Sequence, residues 1–365
     1  AADSLPVLLE LAPQLVTLTG PVPNHCTYSP SERQYHLQAA LKALLRQAAP
    51  DKPALVVLED IQWADSGSLR LVEQILDTPQ DLPMLLILTC RSENLLAGHP
   101  AARWLEQGQV VHLNLKSFGI RDVRQWLASI LADPGPASDA LAELCFEKSQ
   151  GNPLYIQQYM QYLLDHEVFI PSKTGQAWVI QMDHLLKTGA PDDVLILIQN
   201  RLADLSRSTL EVLEWASCMN HTFSVALLSG CTGHSRANIQ LELLTAEQNH
   251  LIQKDLLEAY RFAHDRIQQV LAQNIEPIRL ERIHQTIGLY LARQLGWPSG
   301  SRIGDDAYLL EAADHLRAAR IRPDQIPGWG ALELVLLFQA AGSKSQDLLA
   351  YDRALTYDRL ALEYL

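Results

Sequence analysis

A short apolar run that ends in two acids constrains this chain more than any other stretch. Residues 54–58 read Ala-Leu-Val-Val-Leu and are followed directly by Glu59 and Asp60. Such a run, with adjacent valines, predicts a strand buried on both faces, which requires a parallel sheet with helices above and below. In open sheets of that kind, ligands sit outside the carboxyl ends of the strands. Two carboxylates at that edge have the chemistry to hold a hydrated Mg²⁺ and to orient a water, the two needs of phosphoryl transfer. The plain alternative is a strand-ending Asp that only caps the next turn. The tail Gln62-Trp63-Ala64-Asp65, with Ser66 and Ser68 after it, weighs against that alternative.

Around this strand the pattern predicts α/β followed by α. Residues 1–30 hold Pro6, Pro13, Pro21, Pro23 and Pro30 and read as an extended connection. A helix is expected over 31–48 with Ser31 as its N-cap, and another over 66–76, for which Asp65 is the candidate cap. Residues 84–89 form a second buried strand ending at Thr89-Cys90-Arg91, so strand, helix and strand make a parallel crossover. Residues 110–115 alternate as a shorter strand would. Helices follow at 120–131, 137–148 and 153–165, the last two split by Gly151-Asn152-Pro153, a sharp stop and restart. A β-like patch lies at 177–180.

From residue 191 the texture changes to short helices (194–205, 209–219, 224–228, 239–247) and then to paired short strands at 251–252 and 260–262, the order of a winged helix. His264-Asp265-Arg266 opens a further helix. Residues 278–365 read as almost wholly helical. Tyr351-Asp352-Arg353-Ala354-Leu355 is echoed by Tyr357-Asp358-Arg359-Leu360-Ala361, a pattern that suits a tetratricopeptide-like array.

Charge and cysteine usage exclude several classes. The net charge of −13 argues against a broad nucleic-acid or anionic-membrane surface. Residues 192–266, the expected winged helix, carry ten acids against six bases, the wrong balance for a DNA-reading face. The 5 cysteines are scattered without a Cys-x-x-Cys spacing, which fits reduced cytoplasmic thiols better than a disulfide framework or a zinc site. No apolar run approaches the roughly 18 residues of a membrane span, and no signal peptide is recognisable. A chain that begins at Ala1 and stops at Leu365 inside a helical pattern is expected to be a piece of something longer.

With these residues in hand, the chain resembles the STAND class of P-loop ATPases (signal-transduction ATPases with numerous domains). Among them it is most similar to the ATPase module found centrally in large bacterial hybrid kinases, between a serine/threonine kinase domain and a histidine kinase or cyclase. The likeness covers residues 5–23, 31–34, 55–69, 90–100, 148–154 and 262–269. Trp63-Ala64-Asp65 and His264-Asp265-Arg266-Ile267-Gln268-Gln269 are its most specific parts. The resemblance implies four regions: the distal part of a P-loop NTPase domain (1–118), a helical lid (119–190), a winged helix (191–275) and the start of a helical-repeat region (276–365). It implies ATP or ADP with Mg²⁺ as ligands. Glu59 would take the metal side of the Walker B motif and Asp60 the water-orienting place. The family more often has Asp at the first position, so Glu59 reaches one methylene further. Arg91 would be the sensor arginine at the γ-phosphate, Pro153 would pack on the adenine, and His264 would contact the β-phosphate of ADP.

One departure stands out. No Gly-x-x-x-x-Gly-Lys-Ser/Thr occurs in these 365 residues, and Gly342-Ser343-Lys344-Ser345 has no strand before it. The P-loop would then lie upstream of Ala1, or it has been lost. ATP hydrolysis is expected of the full-length protein, and this chain alone is expected to be inactive. The leading expectation is a regulatory ATPase switch that controls linked kinase or other output domains, with helical repeats for partner proteins and a nucleotide-dependent oligomer open. A non-catalytic scaffold and the ATPase module of a transcription regulator are the alternatives.

Overall fold

A computed structural model describes residues 6, 7, 9, 28–48, 52–77, 84–94, 99–131, 135–171, 178–188, 194–220, 222–255, 259–297, 308–322, 326, 328–348 and 350–365. The expected connection over 1–30 lies almost wholly outside them. Two compact units form, one from residues 1–113 and 284–365, the other from residues 114–283.

The first unit opens with α1 (Pro30–Ala48). Its cap is Ser29 rather than the expected Ser31. The Ser29 hydroxyl and amide donate to the Glu32 carboxylate at 2.7 and 2.9 Å, and the Glu32 N–H reaches back to Ser29 Oγ at 3.4 Å. This reciprocal capping box leaves Pro30 at the first helical position, where a missing N–H costs nothing. Then come β1 (Ala54–Leu58), α2 (Ser66–Asp77) and β2 (Met84–Leu88). The two strands pair in parallel, Ala54 opposite Met84 through Leu58 opposite Leu88. Asp65 caps α2, its Oδ1 accepting the Ser68 N–H at 2.6 Å. With α3 (Pro100–Glu106), these elements close a small core of Ile61, Leu69, Val72, Ala101 and Trp104.

Two expectations fail here. The strand pair is not buried on both faces, because Leu55, Val57, Leu85 and Ile87 lie open to solvent on one side. Alternate residues of a strand share a face, and among the described residues that face carries no covering helix. Residues 110–115 form no strand either, and Val111, Leu113 and Leu115 are exposed. Alternation records compatibility with a pleat, but a strand also needs a hydrogen-bonding neighbour, and β2 pairs only with β1 among the described residues.

The second unit begins with α4 (Ile120–Leu131), α5 (Pro136–Ser149) and α6 (Pro153–Asp165). A hairpin of β3 (Phe169–Pro171) and β4 (Trp178–Ile180) follows, then α7 (Met182–Thr188) and α8 (Val194–Ala203). Leu127, Leu141, Ile156, Tyr159, Leu163 and Leu197 are fully buried in their shared core. Next come α9 (Arg207–Ser217), α10 (Val225–Thr232) and α11 (Arg236–Gln248), each started by a serine cap. The antiparallel strands β5 (Ile252–Lys254) and β6 (Tyr260–Phe262) then lead into α12 (Asp265–Asn274). Phe223 extends this sheet, exchanging N–H···O bonds of 2.8 Å with Tyr260 in both directions. Gln268 on α12 donates to the carbonyls of Ser217 and Met219 at the end of α9, each at 3.1 Å.

Helix α13 (Pro277–Gln294) leads back to the first unit, where α14 (Leu309–Ala318), α15 (Ala331–Asp347) and α16 (Tyr351–Glu363) pack in sequence. The buried Tyr357 on α16 donates its hydroxyl to the Leu310 carbonyl of α14 at 3.2 Å. It accepts from Arg353 Nε at 3.0 Å and stacks on Phe338 of α15. Arg353 also pairs with Asp314. The tempting Gly342-Ser343-Lys344-Ser345 sits mid-helix on α15, and a side chain at Gly342 would run into Asp358 of α16. It is a helix-packing site. Helix α1 meets α15 through Arg33 and Asp347 at 3.6 Å, and Arg70 of α2 lies 5.7 Å above the Tyr351 ring of α16. Among the described residues no helix is long and apolar enough to cross a membrane.

Helix α13 is tied to α14 by two imidazoles, His284 Nδ1 and His315 Nδ1 standing 2.8 Å apart. One nitrogen must donate and the other accept, so the contact needs at least one neutral ring. Burial, and then the charge of His284, push His315 from an ordinary 6.5 down to about 4, against a smaller opposing pull from Asp314. A base held below its unfolded value binds its proton more readily in the unfolded chain. Its stabilisation is therefore complete above about pH 6.5 and is lost as pH falls towards about 4. Melting curves at about pH 7 and about pH 4.5 should show a larger drop in Tm for the native chain than for His315→Asn. Equal drops would remove this pair from the acid sensitivity.

Candidate functional site

The carboxyl end of β1 is held by the neighbouring strand rather than by its own helix. The parallel ladder runs past its last paired residues: the Thr89 N–H donates to the Leu58 carbonyl at 3.0 Å, and the Ile61 N–H donates to the Thr89 carbonyl at 3.0 Å. Between these two bonds the chain must turn. Asp60 does so in the left-handed region, φ 54° and ψ 46°, a conformation Asp and Asn tolerate better than most residues. The Asp60 N–H donates to Thr89 Oγ1 at 2.9 Å.

Gln62, in the following turn of 3₁₀ helix (Ile61–Trp63), spans the edge. Its Nε2 donates to Asp60 Oδ1 at 2.6 Å, and its Oε1 accepts the Arg91 N–H at 3.3 Å. One amide thus fixes the carboxylate of Asp60 against the backbone of Arg91, which brings two of the sequence-predicted residues together. Glu59 sits beside them, exposed. Burial, and then the charge of Asp60, raise the thiol of Cys90, so this cysteine is a poor nucleophile. Gln62 and Thr89 carry no role in the sequence reading. The only trace of Gln62 was its place in the uncommon Gln-Trp-Ala-Asp tail.

The donor set can be weighed against Mg²⁺. Adjacent carboxylates offer hard oxygen ligands. Among the described residues no group of three or more His, Cys, Asp or Glu converges on one point. Two carboxylates alone would leave Mg²⁺ to take most of its oxygens from water or a phosphate.

The other predicted residues, Pro153 and His264, lie in the second unit. Gly151 has φ +77°, and its backbone lies so close to Phe118 that a Cβ there would collide with the Phe118 carbonyl. The Phe118 N–H donates to the Gly151 carbonyl at 2.9 Å. Asn152 caps α6 through the Leu154 N–H at 3.0 Å, with Pro153 at the first helical position. His264 caps α12, its Nδ1 accepting the Arg266 N–H at 3.0 Å. That bond places the proton of the neutral ring on Nε2.

His264 also lines a cavity of about 300 Å³ with Leu154, Gln158, Arg201, His250 and Gln253 among its walls. Arg201 is buried, and its Nη1 donates to the buried Gln158 Oε1 at 2.6 Å. Neither residue was singled out from the sequence. The available signal was one arginine as the sole charge in the Val-Leu-Ile-Leu-Ile-Gln-Asn-Arg-Leu-Ala of α8.

Comparison with known proteins bears on the first of these sites. Residues 3–87 match the AAA ATPase domain family. The matched segment includes β1, Glu59, Asp60, Gln62 and nearly all of β2. Among curated proteins, the peroxide stress-activated histidine kinase mak3 of Schizosaccharomyces pombe is 23% identical over 62% of this chain and 10% of its own length. The kinase mak2 of the same organism is 22% identical over 77% of this chain and 13% of its own. Hybrid signal transduction histidine kinase G of Dictyostelium discoideum is 22% identical over 32% of this chain and 3% of its own. The chain thus spans only about a tenth of the two longest-matching relatives. A solved Signal Transduction ATPase with Numerous Domains with a tetratricopeptide repeat sensor, from Pyrococcus horikoshii, aligns over 100% of this chain and 50% of its own at 11% identity and a TM-score of 0.48.

The backbone of Gly151 sets a test on the second unit. Gly151→Ala combines a left-handed backbone with a collision against Phe118, and should cost at least about 1–3 kcal/mol in urea unfolding. An unchanged midpoint would mean that the Phe118 junction does not constrain this turn.

Proposed function

We propose that the chain is the distal part of a regulatory signalling ATPase, whose nucleotide state controls kinase or other output domains in a longer protein. The observation that carries this reading is the Gln62 bridge, which ties the Asp60 carboxylate to the Arg91 backbone at the strand edge of a segment with AAA ATPase sequence. The three histidine kinases with matching stretches support the signalling context. In this reading the regions are the NTPase part (1–118), a helical lid (119–190), a winged helix (191–275) and helical repeats (276–365).

The residues divide the work by their chemistry. Glu59 and Asp60 would hold Mg²⁺, partly through water, and the ion would neutralise phosphate charge. Asp60, fixed by Gln62, orients the attacking water. Arg91, carried on the same edge, reads the γ-phosphate, where a guanidinium distinguishes ATP from ADP. Pro153, at the rigid start of α6, packs on the base. His264 offers its Nε2–H to the β-phosphate of ADP and favours the closed, ADP-bound packing. ATP and ADP then select different populations because each contacts a different sensor.

Two substitutions test the roles separately in a longer version of the chain that includes a P-loop. Asp60→Asn keeps the size and the tolerance for left-handed backbone, and should abolish ATP hydrolysis while ATP still binds. Persistent hydrolysis would remove Asp60 from the reaction. His264→Ala should speed ADP release by about tenfold, a coupling of roughly 1.4 kcal/mol. An unchanged release rate, measured with a fluorescent ADP analogue, would end that assignment.

A further inference from the structure

We propose that the cavity between α6, α8, the β5–β6 hairpin and the start of α12 is a binding site for an oxyanion of the phosphate class, with Arg201 as its charge-bearing contact and His264 as a second donor. For the identity of its natural ligand this inference rests on the nucleotide-switch reading. For the site itself it rests on Arg201.

The argument is one of unmatched charge. Arg201 is the one arginine in the buried set among the described residues. Buried guanidinium groups are normally paired with a carboxylate, because an uncompensated charge in a low-dielectric interior is costly. Elsewhere in the chain even half-exposed arginines are matched. Arg279 reaches Glu214 at 2.6 Å and Glu211 at 3.3 Å, Arg124 reaches Glu143 at 2.9 Å and Asp139 at 3.3 Å, and Arg353 pairs with Asp314.

Arg201, more deeply placed than any of these, has among the described residues only the neutral amide of Gln158. Asp165 acts on it from beyond ion-pair range, and burial pulls its proton affinity down. An arginine has five N–H donors and Gln158 Oε1 satisfies one of them. The rest of the wall is donor-rich: Gln157, Gln161, Gln253, His250 and His264 line it with Arg201, and among the described residues no Asp or Glu does. A volume of about 300 Å³ admits a phosphate or pyrophosphate group. A guanidinium in such a place matches an oxyanion with paired, charge-assisted hydrogen bonds.

The test uses the whole 365-residue chain and pyrophosphate as the probe, read by calorimetric titration and by the shift in Tm. Native protein should bind pyrophosphate and gain stability with its concentration. Arg201→Lys should weaken binding by about tenfold or more, because an ammonium cannot reproduce the forked contact. Gln158→Glu guards against a variant that simply fails to fold. It places a carboxylate on the guanidinium, supplies the missing counter-charge internally, and should keep or raise Tm while binding falls by at least about tenfold.

Pyrophosphate affinity that is unchanged in both variants, or absent from the native chain, overturns the site. If Arg201-dependent binding is found and ADP competes for it, both the site and its nucleotide identity stand. If ADP does not compete, the oxyanion site stands with a ligand other than a nucleotide in this chain, and the ADP-release test in the longer chain decides the role of His264.

Discussion

Everything at the β1 edge depends on the parallel pairing of β1 with β2 being carried one step beyond the regular ladder. Thr89 uses its N–H, its carbonyl and its hydroxyl to bond Leu58, Ile61 and Asp60 respectively, three residues at the neighbouring strand end. A strand that leaves a sheet usually surrenders its backbone groups to water. Here those groups are consumed by one residue of the partner strand, so the turn at Asp60 is held in an unfavourable backbone region by bonds on either side of it. The side chains inherit that rigidity. Gln62 acts on a carboxylate whose position is already decided, and relays it to Arg91.

The two units handle polarity differently. In the first, polar groups are matched within the helical array, as Asp314 with Arg353 and His284 with His315 show. In the second, the apolar core around Tyr159 and Leu197 is nearly free of charge, and Arg201 is the exception at its margin. A charge kept under cover, with an amide for company, is stable only if the surroundings supply solvation or a ligand. Arg124 and Arg279 in the same unit meet carboxylates, which sets Arg201 apart from them.

Much of this was legible in the sequence, and the failures have physical causes. Period and punctuation located the parallel crossover, the helix α6 bounded by Pro153 and Asp165, and the hairpin of β5 and β6. Glu59 and Asp60 stood out because they end an apolar strand, and Arg91 through the family resemblance; the structure shows that Gln62 links the Asp60 carboxylate to the Arg91 backbone. Gln62 and Thr89 were not given roles, since an amide and a hydroxyl acquire theirs only when strands distant in sequence are brought into register. Ser31 was the expected cap, whereas Ser29 caps the helix and puts Pro30 at its first position. Residues 110–115 misled because alternation is a property of one segment, whereas a strand is a property of two. Arg201 was hidden because a lone cation in an apolar helix gives no hint of whether it snorkels outward or is enclosed.

Tyr357 has a mechanical consequence. Its phenol is shared by three helices: α14 through the Leu310 carbonyl, α15 through the ring of Phe338, and its own α16 through Arg353. Sliding any one of these helices along another by a turn would strand that hydroxyl in apolar surroundings, at the cost of an unmade hydrogen bond. The three are therefore geared to tilt as one body, a lever whose fulcrum is a single buried oxygen. Helices α1 and α2 touch this body at α15 and α16 through Arg33 and Arg70.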